Sequence, residues 1–228
     1  MVQHTVGIVG ASGRLGTVID SVVSGMDDFR VVTRLRHGEG WDVLDGVDVV
    51  IDATQLEVSR AVADYCVAHD KKLLIGTSGW SADLVHALSE RALDHPEAGV
   101  LIVPNFSLGS IVSTRLAALA ARFFPTVEIV EAHHAKKKDA PSGTSVNTRE
   151  QIEQARTPDA RDIPIHSIRL PGVIAKQSVW LGGDGEYLTI THETTSNDSY
   201  RAGIAVAVRG VVGLSGVQVG MDELLGLA

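Results

Sequence analysis

The fold of this chain is decided near its start, by the stretch Val6-Gly7-Ile8-Val9-Gly10-Ala11-Ser12-Gly13-Arg14-Leu15-Gly16. Its apolar beginning is typical of a parallel strand buried on both faces. After Gly16, apolar residues recur at the spacing of a helix. Between a strand and a helix, glycines predict a dinucleotide site: Gly10 for the tight turn, Gly13 for approach to the pyrophosphate, Gly16 for close packing. The spacing is G-x-x-G-x-x-G rather than the commonest G-x-G-x-x-G, and glycine turns also serve plain strand–helix connections.

Four more apolar runs predict that this strand belongs to a parallel sheet with helices between the strands. They span residues 30–35, 47–52, 73–75 and 100–103. Three further helices are predicted between and after these strands: residues 54–69 with Leu56, Val58, Val62 and Cys66 on one face, a helix capped by Ser81 with Leu84, Leu88 and Leu93, and a helix from Ser107 to about Phe124. Residues 38–46 are predicted to form a short polar link.

The end of the second strand bears on the choice of nucleotide. Folds specific for NAD place an acidic residue there to hold the ribose hydroxyls, whereas this strand ends in Arg34, Leu35 and Arg36. An arginine at this place can pair with a 2′-phosphate, so the sequence favours NADPH over NADH. The alternative is that both arginines are solvated loop residues.

A second informative stretch runs from Glu128 to Thr144. A strand over residues 127–130 is followed by His133 and His134, then by three lysines. Ser142 is a good N-cap, and the exposed N–H groups of a helix start bind anions. Histidine carries protons near neutral pH, so the stretch predicts an acidic small-molecule substrate and acid–base chemistry. Alone, a lysine run is usually solvated and paired histidines are often polar packing.

Composition limits the other function classes. The chain has 228 residues and a net charge of −8, which argues against nucleic-acid or anionic-membrane partners. We expect Cys66, the only cysteine, to be a buried core residue, which fits a reducing cytoplasm. The sequence predicts no signal peptide, membrane helix or metal site.

Residues 163–194 contain short alternating runs, with a hairpin signal at Gly182-Gly183-Asp184-Gly185. A last helix is predicted over residues 202–212. The predicted fold is α/β, a Rossmann-type nucleotide domain with a mostly parallel sheet, joined to an α+β substrate and oligomerisation domain with a mixed sheet.

These motifs resemble the 4-hydroxy-tetrahydrodipicolinate (dihydrodipicolinate) reductase family of bacterial lysine biosynthesis. The stretch from Glu128 matches its signature Glu-(Ile/Val)-x-Glu-x-His-x-x-x-Lys-x-Asp-x-Pro-Ser-Gly-Thr-Ala at every fixed position but the last, which is Ser145. The motifs at Gly76-Thr77-Ser78-Gly79 and Pro104-Asn105-Phe106-Ser107 are also similar to family motifs. The chain departs from the family pattern at Ala53, Leu56 and Asn197.

The resemblance implies hydride transfer from NADPH or NADH to a cyclic unsaturated dicarboxylate. It implies that His133 and Lys137 are catalytic and that His134, Gly143 and Thr144 bind the substrate. Lys136 and Lys138 have no matching role and are expected to be solvated. The implied cofactor residues are Gly10, Ala11, Ser12, Gly13, Arg14, Leu15, Arg36, Gly76, Thr77, Ser78, Val103, Pro104, Asn105 and Phe106.

The resemblance also implies a homotetramer, with a nucleotide domain over residues 1–104 and 197–228 and a substrate domain over residues 105–196. Two alternatives remain at this point. The departures from the pattern favour a divergent NADPH-dependent reductase of another small carboxylate. A nucleotide-binding sensor without catalysis is the other, and intact His133 and Lys137 argue against it.

Overall fold

The computed structural model describes residues 3–36, 38–156 and 161–227. The chain divides into two units, one comprising the residues up to Phe106 together with Tyr200–Gly226, the other comprising Ser107–Ser199. Within the described ranges, no helix has the length and apolar character needed to cross a membrane.

The described residues form ten strands and six α-helices. The strands are β1 (His4–Val9), β2 (Phe29–Leu35), β3 (Val49–Asp52), β4 (Lys72–Ile75), β5 (Gly99–Ile102), β6 (Thr126–His133), β7 (Ile165–Arg169), β8 (Ala175–Gly183), β9 (Glu186–Thr194) and β10 (Gly216–Val219). The helices are α1 (Arg14–Val23), α2 (Leu56–Ala68), α3 (Ala82–Ala92), α4 (Leu108–Ala120), α5 (Gly143–Ala155) and α6 (Arg201–Val212).

The first unit is built on a sheet of six parallel strands in the order β2-β1-β3-β4-β5-β10. Strands β3 and β5 are buried along their whole length, as expected for strands covered by helices on both faces. The strand order reverses at β1, which pairs with both β2 and β3. Open α/β sheets bind ligands outside the carboxyl ends of the strands at such a point.

The second unit has a mixed sheet in the order β7-β6-β8-β9. Strands β6 and β7 are parallel, whereas β8 pairs antiparallel with β6 and β9. Helices α4 and α5 cover one face, and a core that includes Ile129, Ile152 and Leu181 lies between them and the sheet. The β8–β9 turn contains Gly185 at φ +80°, at the predicted hairpin.

The predicted fold class, a mostly parallel α/β sheet with a second mixed sheet, is confirmed.

The structure differs from several of the local predictions. The link over residues 38–46 contains a 3₁₀ helix, Trp41–Leu44, because Leu44 is fully buried. Val58 and Leu93 are exposed rather than buried, and α4 ends at Ala120, four residues before the predicted end. Strand β10 was not predicted, because it is short, begins with Gly216 and has no buried residue.

Candidate active site

The glycines after β1 lie in a tightly packed turn at the carboxyl edge of the parallel sheet. Gly10 has φ +85°, and a Cβ there would lie 2.5 Å from the carbonyl oxygen of Ala53, in the loop after β3. A Cβ on Gly16 would lie 2.1 Å from the carbonyl oxygen of Gly10. Only glycine fits at either position, so the two loops and the start of α1 approach as a phosphate-binding turn requires.

The next residues present open backbone. Ser12, Gly13 and Arg14 are exposed, while Ala11 and Leu15 are partly buried. The first N–H groups of a helix have no intrahelical acceptors, and at the start of α1 the cap residue Gly13 offers no side-chain acceptor either. Free N–H groups and the helix dipole fit the pyrophosphate of a dinucleotide.

The loops after β3 and β4 are tied together. The backbone N–H of Thr54 donates to Thr77 Oγ1 at 2.9 Å, and the Thr54 hydroxyl donates to the fully buried carboxyl of Asp52 at 2.5 Å. Burial raises the pKa of Asp52, despite hydrogen bonds from Ser59, Thr54 and Thr77. Asp52 was not among the predicted site residues.

Three of the predicted cofactor loops meet around Gly76. A Cβ on Gly76 would lie 2.9 Å from Leu15 Cδ2 and 3.0 Å from Phe106 Cε2. Val103 is buried and its N–H donates to the carbonyl oxygen of Ile75 at 2.8 Å. The other predicted positions of these loops are exposed (Ser78, Pro104) or partly buried (Asn105). The structure therefore brings together the loops after β1, β4 and β5.

The end of β2 differs from what the sequence suggested. Arg34 forms two hydrogen bonds to Asp20, at 2.7 and 2.6 Å, and these lower the pKa of Asp20. Arg36 is exposed, and its backbone N–H donates to Glu39 Oε2 at 2.7 Å. The turn after β2 thus places the carboxylate of Glu39 at the end of the strand. The sequence had indicated only arginines there.

In the second unit, the predicted catalytic histidine lies at the end of β6. His133 is partly buried, and its Nδ1 lies 2.5 Å from Glu131 Oε2. Glu131 is fully buried and also accepts two hydrogen bonds from Arg169, both at 2.8 Å. Burial alone would raise the pKa of Glu131, but hydrogen bonds from Arg169, Ser167 and His133 outweigh it and lower this pKa to about 2. Glu131 is therefore an anion at neutral pH.

The predicted catalytic lysine is held in the following loop. Lys137 Nζ lies 2.7 Å from Asp139 Oδ2, and this contact lowers the pKa of Asp139. Lys137 is partly buried, whereas Lys136 and Lys138 are exposed, as expected for lysines without a site role. His134 is also exposed, and its carbonyl oxygen accepts the N–H of Lys137 at 3.0 Å.

Helix α5 begins where the sequence predicted an anion site. Ser142 is its N-cap and accepts the N–H of Ser145 at 3.2 Å. Gly143 is exposed, and a Cβ there would meet nothing within 4 Å, so a ligand can approach the backbone. Thr144 is partly buried in the first turn.

Arg169 and Glu131 connect these parts into one cluster. Glu131 Oε1 accepts the N–H of Ser142 at 3.3 Å, and Arg169 Nη2 donates to the carbonyl oxygen of Asp139 at 2.7 Å. His133, Lys137 and the start of α5 are thereby fixed relative to one another. Among the described residues, no group of three or more His, Cys, Asp or Glu side chains is arranged to hold a metal ion.

Family models agree with this arrangement over nearly the whole chain. Residues 4–106 match the model described as dihydrodipicolinate reductase, N-terminus, and residues 109–225 match that of its C-terminus. The chain belongs to the dihydrodipicolinate reductase family. The resemblance found in the sequence is confirmed.

Individual relatives of the reductase family agree as well. A 4-hydroxy-tetrahydrodipicolinate reductase from Clavibacter sepedonicus is 44% identical, over 97% of this chain and 86% of the relative. One from Streptomyces griseus is 36% identical over the full length of both chains. A dipicolinate-bound dihydrodipicolinate reductase from Paenisporosarcina sp. TG-14 superposes with a TM-score of 0.84 at 26% identity, covering 97% of this chain and 99% of that one.

Proposed function

We propose that this chain catalyses the NAD(P)H-dependent reduction of 4-hydroxy-tetrahydrodipicolinate, or dihydrodipicolinate, to tetrahydrodipicolinate in the diaminopimelate and lysine pathway. The observation that carries the proposal is the cluster in the second unit. It holds a histidine on a buried carboxylate beside the open start of α5. This is the arrangement that reduction of an anionic ring requires, because a bound dicarboxylate must gain a proton as well as a hydride.

Nucleotide binding is assigned to the first unit. The turn Gly10-Ala11-Ser12-Gly13 and the first-turn N–H groups of Arg14 and Leu15 would hold the pyrophosphate, since Gly13 is exposed and α1 begins without a side-chain cap. The loops carrying Gly76, Thr77 and Ser78 and Val103, Pro104, Asn105 and Phe106 would line the nicotinamide. When bound, the reduced nicotinamide supplies the hydride.

Substrate binding is assigned to the second unit. The N–H groups of Gly143 and Thr144 would hold one carboxylate at the start of α5, and exposed His134 would contact the substrate. The family relative solved with dipicolinate, a planar dicarboxylate, supports a ligand of this kind. Hydride addition leaves an electron-rich adduct, to which His133 would deliver a proton while Lys137 stabilises the developing negative charge.

The proposed nucleotide preference is NADPH. Arg36 is exposed at the end of β2, where its guanidinium is available to a 2′-phosphate. Arg34 is engaged with Asp20, so the proposal rests on Arg36 alone. Glu39 opposes this preference, because a carboxylate favours ribose hydroxyls over a phosphate.

A homotetramer is proposed from the face of the mixed sheet opposite α4 and α5. This face carries Trp180 and Tyr187, whose side chains are 44% and 70% exposed and whose rings lie 5.4 Å apart. The two rings border a surface recess that also includes Glu128 and Val130. Exposed apolar sheet faces of this kind mark interaction surfaces. Trp180→Lys is therefore expected to lower the mass of the protein measured by light scattering.

We place the enzyme in the cytoplasm, where the buried thiol of Cys66 would stay reduced.

The activity is tested by the loss of reduced-nicotinamide absorbance with substrate made in situ by the preceding synthase. NADPH and NADH are compared in parallel. Turnover that depends on substrate, and that falls by about 100-fold or more in His133→Gln, supports the proposal. A folded wild-type protein that binds NADPH but turns over neither cofactor with this substrate would contradict it.

A further inference from the structure

A fully buried carboxylate lies directly behind the proposed proton donor. Glu131 has no exposed surface, and it contacts His133, Arg169 and Ser142 at once. The free-energy cost of removing an ion pair from water often exceeds the gain from the attraction between its two charges. Stability alone therefore does not explain a glutamate at this position. Its contacts with His133 and the start of α5 indicate a role in the active site.

The ionised carboxylate of Glu131 determines which ring nitrogen of a neutral His133 carries the proton. An ionised carboxylate can only accept hydrogen bonds, so the proton in the 2.5 Å contact lies on His133 Nδ1. The neutral imidazole must then carry its lone pair on Nε2. In this orientation Nε2 is the nitrogen that gains and loses a proton, as in a histidine oriented by a buried aspartate.

Arg169 holds the carboxylate itself in place. Its two nitrogens contact the two oxygens of Glu131 in a bidentate arrangement, which fixes the carboxylate plane. The second oxygen of Glu131 also accepts the Ser142 N–H at the N-cap of α5. One carboxylate thus sets the direction of the imidazole ring and its distance from the proposed substrate-carboxylate site.

We infer that Glu131 is the positioning residue for His133: it holds the ring with Nδ1 protonated and directs Nε2 to the substrate bound at the start of α5. This inference rests on the proposed function for the identity of the reaction. The tautomer that it assigns is a property of the substrate-free protein and is tested separately.

The same strand provides a matched control. Glu128 lies on the opposite face of β6 and pairs with His166 at 2.9 Å, but both side chains are about half exposed. Glu128→Gln removes the same charge from a glutamate–histidine pair that does not face α5. Because Glu128 borders the proposed subunit interface, the mass of the Glu128→Gln variant is also measured by light scattering.

The first experiment is a long-range ¹H–¹⁵N spectrum of substrate-free wild-type protein labelled at histidine, with His133 assigned by comparison with His133→Gln. At a pH where the ring is neutral, the inference expects the His133 signals of the tautomer protonated at Nδ1. Glu131→Gln is expected to give mixed tautomers, and Glu128→Gln to leave the His133 pattern unchanged. A wild-type ring protonated at Nε2 would overturn the inference, even if the enzyme proves to be the proposed reductase.

The second experiment is a double-mutant cycle on turnover. Glu131→Gln alone is expected to lower kcat by about 10- to 100-fold, with the KM for substrate changed by less than about threefold. In the His133→Gln background the same change is expected to cost less than about twofold, because Glu131 would no longer have a ring to position. An equal loss in both backgrounds would show a merely structural role and refute the inference.

Loss of folding in Glu131→Gln would not block the test. The wild-type tautomer alone decides the first part, and Glu131→Asp supplies a variant that keeps the charge. With one methylene fewer, this carboxylate is expected to retain the Nδ1-protonated tautomer in part and to give a kcat between those of wild type and Glu131→Gln. A Glu131→Asp enzyme no better than Glu131→Gln, with wild-type KM, would count against positioning through the charge.

Discussion

Ser145 stands where the family signature has alanine, and the structure accounts for its hydroxyl. The Oγ atom donates to Gln177 Oε1 at 2.7 Å and lies 2.9 Å from Ser142 Oγ, the cap of α5. Gln177 in turn donates to Thr148 on α5 at 3.0 Å. All four side chains are buried, so the hydroxyl that departs from the signature completes a network beneath the proposed carboxylate site.

Ser145→Ala is therefore expected to destabilise the protein even though it restores the family residue. The change leaves Gln177 Oε1 without its donor, and an unpaired buried acceptor costs about 1–2 kcal/mol. The midpoint of chemical unfolding measures the effect. Ser113→Ala is the control, because that hydroxyl donates to the Ser110 carbonyl oxygen of its own helix. Equal midpoints for the two variants would contradict the role given to the network.

At the end of β2, Glu39→Gln is expected to increase selectivity for NADPH. The carboxylate lies at the Arg36 backbone, where it would repel a 2′-phosphate bound at the proposed ribose site and would accept a hydrogen bond from a ribose hydroxyl. Removal of this exposed charge is expected to raise the ratio of kcat/KM for NADPH over NADH by about 5-fold, since exposed charge interactions amount to about 1 kcal/mol. Glu90→Gln, an exposed position on α3, should leave the ratio unchanged. A ratio that falls in Glu39→Gln would mean that the carboxylate does not act on the ribose.

At the scale of the elements, helix α6 packs closely against the loop after β5. A Cβ on Gly203 would lie 1.9 Å from the carbonyl oxygen of Phe106, a residue of the proposed nicotinamide loop. The backbone of α6 therefore supports this loop directly. Because the obstacle is backbone rather than a flexible side chain, a substitution at Gly203 must displace the helix or the loop.

Gly203→Ala is expected to lower stability by about 1–3 kcal/mol, the usual cost of an added group in a packed site, and to weaken NADPH binding. Gly213→Ala tests the same exchange at the end of the same helix. There φ is −92° and a Cβ would meet nothing within 4 Å, so the change should be neutral or slightly stabilising. Thermal unfolding and NADPH titration measure both effects. Unimpaired NADPH binding by Gly203→Ala would show that α6 does not set the loop.

At the scale of the whole molecule, the loss of stability in acid is expected to come mainly from Glu131, the buried carboxylate whose pKa is lowered. The pKa values of Asp20, Asp28, Asp48 and Asp139 are also lowered in the folded chain, but all four lie in exposed hydrogen bonds that contribute little. Glu131 is fully buried, and its pKa is lowered to about 2 from an ordinary value of 4.5. A lowered pKa gives stability that is present above pH 4.5 and is lost as the pH falls toward 2.

The stability difference between wild type and Glu131→Gln is thus expected to be greatest above pH about 5, on the order of 3 kcal/mol, and to shrink toward pH about 2. Chemical unfolding at a series of pH values measures it, and Glu128→Gln provides the control with an exposed glutamate. A difference that stays constant from neutral pH to pH about 2 would contradict the ionised state of Glu131, on which the assigned tautomer also depends.

Helix caps and buried strands could be predicted from the sequence, because they depend on residues that are close together in the chain. Ser81, Ser107 and Ser142 each cap the helix that the sequence assigned to them, since a cap needs only a side-chain oxygen and an N–H group three residues away. The buried strands were visible as apolar runs. Strand β10 was not, because its partner β5 lies more than a hundred residues earlier in the chain and none of its own four residues is buried.

The sequence by itself determined the two-sheet fold, the reductase family and the residues that carry the signature. Only the tertiary structure decided which partners those residues take. Arg169 reaches Glu131 from 38 positions away, the N–H of Thr54 after β3 donates to Thr77 after β4, and Glu39 contacts the end of β2. Such contacts join side chains from separate strands and turns, and a side chain's partner depends on how those elements are placed in space rather than on its neighbours in the chain.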